Sequence, residues 1–117
     1  MSILNRGVIE VDPIVVAAWL ETGEALLVDV REEEEWAEES VPGAILSPMS
    51  DFDFATFPRQ AGRRMVVMCK LGRRSEAIAR KLLENGLPMV FNMAGGINGW
   101  KEADLPVSFG DTLTVQG

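Results

Sequence analysis

The stretch Met65–Gly86, MVVMCKLGRRSEAIARKLLENG, decides how this chain is read. Its first five residues, Met65–Cys69, are continuously apolar, as expected of a strand buried on both faces. Gly72 then allows a tight reversal that a Cβ would hinder. From about Arg73 to Asn85 the pattern becomes helical, with Ala77, Ile78, Lys81, Leu82 and Glu84 distributed over two faces. Gly86 stands where a helix would end.

The same alternation runs outward in both directions. Gly7–Val11 reads as a short strand. Asp12 follows as an N-cap with Pro13 at the first helical position, opening a helix to about Thr22 that Gly23 ends. Ala25–Val30 is a second buried strand, followed by a charged helix over Glu32–Glu39. Pro42–Pro48 gives a turn and a short strand, and Met49–Phe57 a short helix capped by Ser50 or Asp51. Met89–Met93 is the last strand, and Gly95–Ala103 a turn with a short helix. Apolar strands alternating with helices predict an α/β domain of three layers, a central five-stranded parallel sheet with helices on both faces. The 117 residues suit one domain, with a core over about 7–107 and a loosely held polar tail over 108–117.

Composition removes whole classes of chemistry. The chain has one cysteine and no histidine. An intramolecular disulfide, a Cys-x-x-Cys redox pair, His-ligated zinc and imidazole-based triads are therefore excluded. No metal or cofactor is expected. No apolar run is long enough to cross a bilayer and no signal-peptide pattern opens the chain, so a cytoplasmic location is the expectation. A net charge of −7 argues against nucleic acid or an anionic membrane as partner. Yet eight of the eleven basic residues (Arg59, Arg63, Arg64, Lys70, Arg73, Arg74, Arg80, Lys81) fall within one short span. That suggests a local positive field and a small anionic ligand.

Sites in open α/β sheets form beyond the carboxyl ends of the strands. Asp29 and Arg31 stand at one such end and Cys69 at another, so topology predicts all three on one edge. The loop after Cys69 can turn several backbone N–H groups inward beside a helix N-terminus, an anion-binding arrangement. Arg73 and Arg74 sit where the helix dipole disfavours positive charge by roughly 0.3–1 kcal/mol each. That placement makes sense if a thiolate or a bound oxyanion occupies the loop. Such surroundings lower a thiol pKa from about 8.5 to about 7 or below. A lone cysteine ending a buried strand is, taken alone, more often inert core. The combination with a glycine turn, paired arginines and a helix start favours a functional anion loop.

At these residues the chain resembles the rhodanese family of sulfurtransferases, specifically its small single-domain members. CKLGRRS matches the family's Cys-x-x-Gly-x-Arg-Ser pattern, and LLVDVREEEEW its Asp-Val-Arg-Glu-x-x-Glu-aromatic segment. VPGAILSP is similar to its Ile-Pro-Gly-Ala segment, and MAGGINGWKEADLPV to its closing Gly-Gly-x-x-x-Trp segment. The matches run in order from about Val8 to Val107. One departure is Ser40, where the family often has histidine.

The resemblance implies a rhodanese-like fold and a persulfide mechanism. Cys69 would attack the outer sulfur of thiosulfate or a similar small anionic donor, and cyanide or a thiol, such as that of thioredoxin, would then take the sulfur. Backbone N–H groups of Lys70, Leu71, Gly72, Arg73, Arg74 and Ser75 would hold the persulfide. Lys70, Arg73 and Arg31 would hold the sulfite end, Arg74 and Ser75 would fix the loop, and Asp29 would tie neighbouring backbone. A non-catalytic sulfur-carrier or partner-binding module is the alternative. A Cys-loop phosphatase or arsenate reductase is disfavoured because related enzymes of that kind carry a loop one residue longer. The glutamate run reads as a solvated helix face with Trp36 as its core anchor. Phe52, Phe54 and Phe57 either shape one wall of the site or simply pack.

Overall fold

The computed structural model describes residues 2–4 and 7–110. Among them six strands form one sheet in the order β1-β2-β6-β5-β3-β4. They are β1 (Ser2–Leu4), β2 (Val8–Val11), β3 (Ala25–Asp29), β4 (Ile45–Leu46), β5 (Arg64–Met68) and β6 (Val90–Met93). The five from β2 onward are mutually parallel, as expected. The sixth, β1, pairs antiparallel with β2 at the sheet edge and was not foreseen. Three residues carry too little periodic pattern to announce a strand.

Among the described residues four α-helices accompany the sheet: α1 (Pro13–Glu21), α2 (Glu33–Glu38), α3 (Arg73–Glu84) and α4 (Gly96–Glu102). Strand side chains alternate between faces, so each buried strand feeds two cores. Met65, Val67 and Cys69 pack with Ile78, Ala79 and Leu82 of α3, whereas Val66 and Met68 pack with Val16 of α1 and Ile97 and Trp100 of α4. This is why the strand reads as continuously apolar. No helix among the described residues is long and apolar enough to cross a membrane.

Several local expectations change. Asp12 occupies the N-cap position of α1 with extended backbone, but its carboxylate makes no capping hydrogen bond. Met49–Asp51 forms only one 3-10 turn, preceded by Pro48 rather than capped by Ser50 or Asp51. The helix stops there because Asp53 accepts from the Ala55 N–H (3.0 Å) and its carbonyl from the Thr56 N–H (3.1 Å). These local bonds compete with helix propagation. Phe57 is then buried, and Phe52 and Phe54 lie against the α3-side core. Trp36 does not anchor α2, which has no buried residue. Of the expected tail, Ser108 pairs with Ser40 through two backbone bonds of 2.8 Å. Residues 111–117 lie outside the described residues.

Candidate active site

The register of β3 on β5 sets Asp29 beside Met68, and the Val30 N–H donates to the Met68 carbonyl (2.9 Å). Asp29, Arg31 and Cys69 therefore leave the sheet at the same edge. Cys69 is only 1% exposed. Beyond it the chain folds back through Gly72, whose φ of +109 suits glycine, and enters α3 at Arg73.

The thiol is gathered in by its own loop. Gly72 N–H donates to Sγ at 3.0 Å, and Ser75 Oγ lies 3.3 Å away. Burial is the largest single influence on this thiol and opposes ionisation. It is outweighed by hydrogen-bond donors of the loop and the start of α3, the N–H groups of Ser75, Gly72 and Leu71 among them, and the pKa falls below its ordinary value. The activating agent is thus the peptide backbone at the start of α3, as the absence of histidine requires.

The loop is held from two sides by residues that sequence reasoning missed. Asn92 of β6, 2% exposed, donates from Nδ2 to the Gly72 carbonyl (3.0 Å) and lies 2.6 Å through Oδ1 from Ser75 Oγ. The signal was present: one polar residue inside a buried strand must have partners. On the other side, Ile97 N–H donates to the Cys69 carbonyl (2.9 Å) and Asn98 N–H to the Lys70 carbonyl (3.2 Å). Gly96 makes this approach possible, since a Cβ there would sit 2.3 Å from the Cys69 carbonyl oxygen.

Arg74 does not point freely at an anion. Its guanidinium forms a two-pronged pair with Glu35 of α2, at 2.8 and 2.9 Å. That hydrogen-bonded pair holds the Glu35 carboxyl well down, at about 2, against an ordinary 4.5. Arg31 is likewise engaged elsewhere. It is buried against Asp29 (2.9 Å) and donates to the carbonyls of Glu35 (3.4 Å) and Glu39 (2.8 Å). It ties α2 down; holding the sulfite end of a donor would require it to abandon these partners. The glutamate run is correspondingly more than a solvated face. Glu32 accepts from the Ser50 hydroxyl (2.6 Å), Glu35 holds Arg74, and Glu39 pairs with Lys101 (2.7 Å).

The expected cluster of eight basic residues is divided in space. Strand β5 rises about 3.3 Å per residue, so Arg59 and Arg63, which precede it, and Arg64, which opens it, lie at the opposite edge from Cys69. Only Lys70, Arg73 and Arg74 flank the thiol. Lys70 and Arg73 are exposed and form no ion pair among the described residues.

A model of the Rhodanese-like domain matches residues 12–103. The chain belongs to the rhodanese-like domain family. Among its relatives are a protein named Sulfurtransferase from Allochromatium vinosum and a Thiosulfate sulfurtransferase GlpE from Haemophilus influenzae. The first is 32% identical over 87 residues, covering 74% of this chain and 81% of the relative. The second is 34% identical over 85 residues, covering 71% and 79%. Some relatives are longer: the chain spans 45% of an uncharacterized Synechocystis protein, slr1261, at 32% identity over 81 residues and 69% of this chain. The solved structure of a rhodanese-related protein from Thermoplasma volcanium superposes with a TM-score of 0.74 at 25% identity, covering 86% of this chain and 97% of that one. In this rhodanese-like domain the Cys69 loop, its Asn92 brace and its α4 clamp form one unit around the sulfur.

Proposed function

We propose that this protein moves sulfane sulfur from thiosulfate or a related donor to a thiophilic acceptor through a Cys69 persulfide. One observation carries the reading: a buried sulfur that accepts N–H groups from its own six-residue loop, at a helix N-terminus, with a lowered pKa. A thiolate so held needs no general base. It attacks the outer sulfur of thiosulfate, forming the new S–S bond. The S–S bond of thiosulfate breaks and its electron pair leaves with sulfite. The charge then rests on the outer sulfur of the persulfide, and the N–H groups of the loop stabilise it as an oxyanion hole stabilises its anion. Exposed Lys70 and Arg73 stand where the sulfite end of the donor would lie. The relatives named sulfurtransferase support the same chemistry.

The test is intact mass after incubation with thiosulfate. The protein should gain one sulfur atom, the gain should be absent in Cys69→Ser, and cyanide should discharge it. No adduct with any sulfane donor would overturn the reading. Steady turnover to cyanide or a thiol distinguishes an enzyme from a module that only carries sulfur.

A further inference from the structure

Ser75 has one hydroxyl proton and two neighbours able to take it, Asn92 Oδ1 at 2.6 Å and Cys69 Sγ at 3.3 Å. With Gly72, which gives its N–H to the sulfur and its carbonyl to Asn92, these residues close a ring of hydrogen bonds. One member fixes the direction of the rest. The Gly72 carbonyl only accepts, so Asn92 must turn its NH2 toward it and its oxygen toward Ser75. The Ser75 proton is therefore claimed by Asn92, in agreement with the shorter distance. What faces the sulfur is a hydroxyl lone pair.

The three states of the sulfur meet this arrangement differently. A neutral thiol fits it, donating its S–H to Ser75 Oγ. A bare thiolate does not, because it wants the Ser75 proton, and surrendering that proton leaves a buried Asn92 oxygen unpaired. The inner sulfur of a persulfide makes no such demand, since the charge lies on the outer atom.

We propose that Asn92 is a positioning residue that holds the Ser75 proton away from Cys69, disfavouring the bare thiolate relative to both the thiol and the persulfide. The persulfide clause rests on the function proposed above; the proton arrangement stands without it. The sulfur-loaded form is thereby favoured over the empty ionised one by a residue that touches neither donor nor acceptor.

The experiment is a double-mutant cycle on the Cys69 titration, read from thiolate absorbance and from alkylation rate against pH. Its corners are the parent, Ser75→Ala, Asn92→Ala and the double variant. In the parent background Ser75→Ala should leave the midpoint unchanged or lower. In the Asn92→Ala background, where the hydroxyl is free to serve the thiolate, the same change should raise the midpoint by about one pH unit. Asn92→Ala also frees the Gly72 carbonyl, but that loosening is common to both proteins of its pair and cancels in the cycle. So do the charged neighbours, Lys70, Arg73 and Arg74 of the loop, Glu35 of α2 and the Asp29–Arg31 pair. Equal rises in both backgrounds would overturn the proposal. If Asn92→Ala does not fold, Ser75→Ala alone decides: a rise near one unit refutes it and no rise supports it. All measurements use sulfur-free protein, so an absent thiosulfate adduct leaves this outcome readable, and a null cycle leaves the persulfide reading intact.

Discussion

Gly96 and Gly72 show how differently two glycines can matter within one site. At Gly72 the φ of +109 is the whole requirement, because the nearest atom to an added Cβ would be 3.8 Å away. At Gly96 the φ of +58 is joined by contact: a Cβ would meet the Cys69 and Lys70 carbonyl oxygens at 2.3 and 2.5 Å. Gly96→Ala should therefore cost about 2–5 kcal/mol, against about 1–3 for Gly72→Ala, as measured by denaturant unfolding. Gly96→Ala should also push the thiol toward ordinary acidity by displacing the loop. Cys69, Gly72, Arg74 and Ser75 were legible in the sequence because their spacing is local. Asn92, the one polar residue of MVFNM, announced that it needed partners but not which, since they lie 17 and 20 residues back, and nothing in GGING ties Gly96 to the distant Cys69 loop.

Helix α2 is an element whose role came from outside its own pattern. Its hydropathy reads as solvent-facing, and none of its residues is buried. It is held instead by polar ties at both ends, through Arg31 to its carbonyls and through Glu35 to Arg74. Six consecutive residues with four carboxylates could not reveal which one faces an arginine, because that choice is made by the packing of α3. Glu35→Gln should leave the fold intact, as half-exposed pairs contribute only about 0–1 kcal/mol. It should lower kcat/KM for thiosulfate by about three- to tenfold by freeing Arg74 and loosening the loop. The pH dependence follows from the direction of the Glu35 shift. A carboxyl held at about 2 against 4.5 stabilises the folded state fully above pH 4.5 and loses that contribution as pH falls toward 2. The stability difference between parent and Glu35→Gln should close over that window in denaturant midpoints.

At the scale of the molecule, the parallel order of five strands was readable because buried parallel strands are apolar on both faces. The antiparallel β1 was not, and neither was the fate of the basic residues. Sequence proximity gathered eight of them, and a single strand sent three to the far edge of the sheet. The positive field at the thiol therefore comes from Lys70 and Arg73 on an otherwise acidic body. Replacing both by glutamine should raise KM for thiosulfate by about two- to fivefold at low salt, with the effect shrinking as the Debye length falls below about 10 Å. Arg63→Gln, at the opposite edge, should leave KM unchanged. The clamp of α4 on the loop has a further consequence for how such a protein can change. Ile97 and Asn98 grip the carbonyl oxygens of Cys69 and Lys70, groups that every amino acid possesses. Leu71, 60% exposed, and Lys70 beside it are thus free of any duty in holding the sulfur's cradle through their side chains. Donor preference can be rewritten at these two positions while the frame that activates the sulfur stays as it is, a mutable lip on a fixed mould.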